Sequence, residues 1–209
     1  MQAKLTINHQ VFIWYKFFNS IFFGIAVGSY VTQYEPLKIE DFPVIGIVFC
    51  LLSIPIALLY KRIMKIHYFY TASILVEVIM LIWIVLFLID PWSSQNLLGN
   101  SYQIALIIYI ARYITFMFGD FLSRAETIFI KKTKVLSKID VMKQLGTISG
   151  MMISVFFYTI LENYYGITEN APKVFYIHFL LCVIEVTIIT LLILSFKTKN
   201  IITKKTPRD

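Results

Sequence analysis

Apolar residues run along this chain in six stretches separated by short polar breaks. About 20 residues of apolar helix cross the roughly 30 Å hydrocarbon core of a bilayer. The stretches at about 11–32, 43–60, 69–89, 102–121, 145–161 and 174–196 are of that order. They predict an all-α integral membrane protein, a single six-helix transmembrane domain over 1–209. The first stretch is too long for a secretory leader and has no small-residue cleavage site after it, so it reads as a retained span. Asp41 stands ahead of Pro43, placed to cap the second helix, and Pro55 marks a kink within it. The third span ends at Asp90-Pro91-Trp92, and the polar turn that follows has no Lys or Arg.

The segment at about 122–144 breaks the apolar pattern. It carries Arg124, Lys131, Lys132, Lys134, Lys138 and Lys143 against Glu126 and Asp140. Basic residues are retained on the cytoplasmic side of spans, so it reads as a cytoplasmic connector. Lys4, the hinge residues Lys61, Arg62 and Lys65, and the basic tail 197–209 fall on the same side of a six-span layout. That side holds fifteen of the nineteen Lys and Arg, and the opposite loops hold only Lys38 and Lys173. The bias predicts both termini in the cytoplasm, with the tail irregular. The expected location is a plasma membrane, of the bacterial inner-membrane kind.

Composition agrees with the pattern. A chain that is 58% hydrophobic and 15% charged is too apolar for a soluble domain. The net charge of +7 lies beside the spans without a base-reading motif, which points to anionic lipid headgroups and away from nucleic acid. Cys50 and Cys182 fall inside spans, match neither metal nor redox spacing, and read as packing residues. No His/Cys cluster, nucleotide loop or nucleophile–base pair is present in the sequence, so neither an enzyme nor a cofactor is expected.

The chemistry lies in charges within the spans: Lys16, Glu77, Arg112 and Glu185, whose formal charges cancel. At 1.5 Å rise per residue, Arg112 and Glu185 are about 15 Å from the outer ends of their helices, and Glu77 is at nearly the same depth. A charge at that depth needs a partner. Arg112 serves either a substrate or gating role or a structural ion pair with Glu185 or Glu77. The two acids are either functional or a buried pair that fixes packing. Lys16 is shallower and expected to snorkel to the headgroups. His178 shares a helical face with Glu185, as a relay or as an interfacial histidine. Asn19 and Ser20 either line a polar cavity or bond a neighbouring helix. The glycine pairs Gly24/Gly28 and Gly146/Gly150 read as close-packing motifs.

Several stretches are similar to motifs of one family. Ala57-Leu-Leu-Tyr-Lys61-Arg62-Ile-Met64-Lys65 keeps the spacing and basic residues of the gating motif after helix two of major facilitator superfamily transporters, without its Asp and glycines. Ser123-Arg-Ala-Glu126-Thr-Ile-Phe is similar to the end of helix four, Leu145-Gly-Thr-Ile-Ser-Gly150 to the opening of helix five, and Arg112 stands where many members keep an Arg. In layout the chain resembles the N-terminal six-helix half of such a transporter. The resemblance implies small-solute transport, possible proton coupling through a membrane carboxylate, and a working unit of two halves: a parallel homodimer or a heteromer with a second six-helix half. In that fold helices three and six, which carry Glu77 and Glu185, flank the central cavity. The alternative is a non-transporting, truncated or accessory subunit packed against another membrane protein.

Overall fold

The computed structural model describes residues 2–35, 37–89 and 101–201. In chain order the elements are β1 (Gln2–Ile7), α1 (His9–Tyr34), α2 (Asp41–Leu58), α3 (Tyr60–Ile63), α4 (Ile66–Ile89), α5 (Ser101–Ile130), α6 (Thr133–Tyr165), α7 (Asn170–Ser195) and β2 (Phe196–Ile201). The protein is all but wholly helical. Among the described residues five helices, α1, α2, α4, α6 and α7, are long and apolar enough to cross a membrane, while α5 has a shorter apolar stretch, Ala105–Thr115. The polar turn read at 93–100 and the tail beyond 201 lie outside the described residues.

Helix α1 is the axis of the bundle, packed against both α6 and α7. Its contact with α6 is set by glycine. A Cβ at Gly24 would run into the Thr147 carbonyl, one at Gly146 into that of Phe17, and one at Gly150 into that of Ile21. The two backbones approach closely because no side chain intervenes. In lipid, where burial of apolar surface drives little association, such dispersion contact is a main source of helix–helix affinity. The glycine pairs are therefore used inside the bundle.

Helix α7 buries Val174, Ile177, His178, Leu181, Glu185, Ile188, Leu192 and Ser195, a residue every three or four positions. That spacing puts one stripe of the helix against α1 and α4. Helix α4 answers with Phe69, Ser73, Glu77, Ile84 and Phe87. Both stripes thus draw a glutamate into the core. Helix α2 behaves differently, with no buried residue at all. It meets α5 through Phe42 on Tyr109 (ring centroids 4.9 Å) and Phe49 stacked on Tyr113 (5.5 Å).

Two local expectations need correction, and the connector gains a definite structure. Asp41 begins α2 and does not cap it: its Oδ2 accepts from the Lys38 backbone N–H (3.0 Å) and from the Tyr102 hydroxyl (2.9 Å). The connector at 122–144 is helical almost throughout, because α5 and α6 extend into it and break only at Lys131–Lys132, where Lys131 takes a φ of 54°. The start of the tail is a strand, since Phe196–Ile201 pairs antiparallel with Gln2–Ile7, Leu5 opposite Thr198. The ladder continues into the helices through Asn8 N–H to Ser195 O at 2.7 Å.

Candidate functional site

Side chains from α1, α4, α5, α6 and α7 meet in one buried polar cluster beside a cavity of about 270 Å³. Helix α1 supplies three of them. Tyr15 and Asn19 are four residues apart, hence on one face. The Tyr15 hydroxyl donates to Glu77 Oε1 at 2.7 Å, and Asn19 Nδ2 donates to the same oxygen at 3.0 Å. Across from Glu77, the Glu185 carboxyl comes within hydrogen-bonding range of it. Both acids are sealed from solvent, with 4% of Glu77 and 1% of Glu185 exposed.

Lys16 turns inward beside this pair. Its Nζ lies 2.6 Å from Glu126 Oε2, and only 13% of its side chain is exposed. It also sits over the rings of Phe12 (5.4 Å) and Tyr15 (5.3 Å). The expectation that Lys16 snorkels outward is corrected: a carboxylate and two ring faces hold the ammonium inside, and a charge so solvated has no need of headgroups. Glu126 accepts a second ion pair at 3.1 Å from Lys143 of α6. The latch therefore joins α1, α5 and α6.

The cavity runs between these two groups. Lys16, Asn19, Glu77, Glu126 and Lys143 line it together with Tyr15 and Thr115, and Phe22, Phe23, Met80 and Leu122 supply an apolar wall. A small solute entering it meets donors, acceptors and both signs of charge.

Of the residues singled out in the sequence, Glu77, Glu185, Lys16 and Asn19 come together here. Ser20 turns elsewhere, packing its Cβ on the α1–α6 seam near Gly146. Lys61, Arg62 and Lys65 are exposed around α3 and stay outside the cavity. The backbone of Arg112 lies in α5, and its side chain lies outside the described residues, so its pairing with either acid does too. His178 is buried, not interfacial. Its Nδ1–H donates to the Val174 carbonyl (2.6 Å), its Nε2 accepts from Gln33 Nε2 (3.1 Å), and Phe87 packs on its ring at 4.1 Å between centroids. These contacts point it away from Glu185.

Tyr15, Glu126 and Lys143 were not among the candidates. Tyr15 had a usable signal, the polar triple Tyr15, Lys16 and Asn19 within an apolar helix. Glu126 and Lys143 had none, because each looks like one more charge of a solvated connector. Comparison of the chain with family models, curated proteins and solved structures gives no match.

Proposed function

We propose that the protein is a six-span membrane protein with both termini cytoplasmic, similar to one half of a major facilitator superfamily transporter, and that it moves a small solute with proton coupling at a membrane carboxylate. The observation that carries this reading is the cavity, which brings Glu77, Lys16 and Glu126 to one polar path inside an otherwise apolar bundle. Charge placed within membrane spans is costly and persists where it lines a pathway or balances a partner.

Antiparallel pairing of β1 with β2 supports an even number of crossings, since it joins the two ends of the chain. Five spans would put those ends on opposite sides. Helix α5 (Ser101–Ile130), which contains the apolar stretch Ala105–Thr115, is then the remaining crossing. The positive-inside bias supports the cytoplasmic side for both ends.

A single six-helix half provides one wall of a solute path, so the working unit is a parallel dimer or a heteromer with a second half. Helix α2 supports this, because apart from its contact with α5 it has no buried residue and leaves much of its apolar surface for lipid or another subunit. The same observation favours the second reading, an accessory subunit that packs on another membrane protein and transports nothing. Uptake into proteoliposomes separates the two. A panel of radiolabelled small solutes is offered with and without an inward proton gradient, to wild type and to Glu77→Gln. Gradient-driven accumulation of at least one solute class, lost in the variant, is expected. Absence of uptake across the panel, from protein reconstituted as the native oligomer, would favour the accessory reading.

A further inference from the structure

Glu185 Oε1 is a buried acceptor with no donor among the described residues, on a side chain that is 1% exposed and faces a second buried carboxyl. Two ionised carboxylates are acceptors only and cannot hydrogen-bond to each other. A proton, a cation or another donor must stand between them. Among the described residues the neighbouring charges do not supply it. Lys16 is committed to Glu126 at 2.6 Å, and Lys143 binds the same carboxylate at 3.1 Å. Those three groups carry one net positive charge, while Glu77 and Glu185, both ionised, carry two negative ones. Among the described side chains the cluster is short of one positive charge.

We propose that Glu77 and Glu185 together form a binding site for one exchangeable monovalent cation, a proton or a sodium ion, set between α4 and α7. The described side chains that face the site come from each element packed on it. From α1, Tyr15 and Asn19 donate to Glu77 Oε1, and Lys16 lies alongside. Glu126 of α5 and Lys143 of α6 reach it only through Lys16. On α7 itself His178 is turned to Gln33 and the Val174 carbonyl. Tyr15 and Asn19 fix one oxygen of Glu77, and the open Oε1 of Glu185 offers a further ligand. A proton occupies the site as a carboxylic acid donating to its partner. A sodium ion occupies it with carboxylate oxygens as ligands.

Occupancy has a mechanical consequence. When the cation leaves, the new negative charge acts on Lys16, the described cation alongside Glu77, and draws it off Glu126. Loading of the α4–α7 site is thereby linked to the α1–α5–α6 latch. This deepens the transport reading but concerns binding alone. A site without transport, or transport without the site, is a distinguishable result.

The test uses the full chain purified in detergent. Infrared difference spectra across a pH titration report the protonated-carboxyl C=O band. Thermal melts at alkaline pH compare sodium chloride with choline chloride at equal ionic strength. Glu185→Gln keeps the volume and gives the amide a donor for Glu77, and Glu77→Gln is its counterpart. A proton site gives a titrating band that is missing in Glu185→Gln, with no effect of sodium. A sodium site gives a melting temperature that rises with sodium and not with choline, a rise lost in Glu185→Gln. A wild-type chain showing neither response overturns the proposal. So do responses that persist unchanged in both variants.

Discussion

Lys16 Nζ lies 2.6 Å from Glu126 Oε2, joining the first half of α1 to the last turns of α5 with only 5% of the Glu126 side chain exposed. Lys143 binds the other oxygen from α6. One carboxylate thus serves two ammoniums on two other helices, and removing it strands both.

Replacing Glu126 with Ala is expected to destabilise the protein by about 3 kcal/mol, the lower end for breaking a buried pair. The lower end applies because the Lys143 side chain is 31% exposed and water screens its share. The double change Lys16→Leu with Glu126→Leu should recover much of the loss. A double-mutant cycle from equilibrium unfolding in mixed micelles measures the coupling. Additive single effects would show that the pair contributes nothing beyond its packing.

The glycine seam gives a sharper contrast. At Gly150 an added methyl meets the Ile21 backbone carbonyl, which no rotamer change can move aside. Gly150→Ala should cost about 1–3 kcal/mol or prevent assembly of α6 on α1. At Gly119, within α5, the same methyl meets nothing within 4 Å. Gly119→Ala should therefore stabilise by about 0.5–1 kcal/mol through helix propensity alone. Melting temperatures of the two variants in one detergent should move in opposite directions.

Tyr15→Phe deletes the donor to Glu77 Oε1 and leaves the ring in place. Hydrogen bonds to charged acceptors contribute about 1.5–3 kcal/mol. The expected loss is near the low end, because Asn19 still donates to the same oxygen. Tyr15→Phe combined with Asn19→Leu should lose more than the sum of the separate changes, since only then is the oxygen without a donor. Denaturant titrations of the three variants test this, and strict additivity would contradict it.

Helices were legible in the sequence because length and apolar content alone set them, and Glu77 and Glu185 stood out as charges within spans. That the two acids meet stood in the sequence only as one of two alternatives. It depends on α4 and α7 presenting their buried stripes to each other at matching depth. Glu126 was hidden for a different reason: one of two acids among six basic residues looks like part of a solvated loop, and only the extension of α5 to Ile130 makes it a buried ligand. The strand Phe196–Ile201 left no trace in the apolar pattern, since Phe-Lys-Thr-Lys-Asn-Ile is mostly polar and gains its order from backbone bonds to a distant partner.

That pairing carries the most direct test of how the chain crosses the membrane. Leu5 and Thr198 are opposite each other in the antiparallel register. Cysteines placed there, with Cys50 and Cys182 replaced by Ala, should form a disulfide on mild oxidation. Directly opposite strand residues have Cβ atoms about 4.5–5.5 Å apart, near the range a disulfide needs. A protease site inserted between Ile89 and Ser101 makes the bond visible. After cleavage the two fragments should migrate together without reductant and separate with it. Performed in native membranes before solubilisation, the experiment also reads topology. A bond between these positions requires both ends of the chain on one side, hence an even number of crossings. An impermeant thiol reagent, added to oriented vesicles before oxidation, identifies which side. Fragments that separate without reductant, from protein whose cysteines both react with a maleimide, would oppose the strand pairing and the six-span reading together.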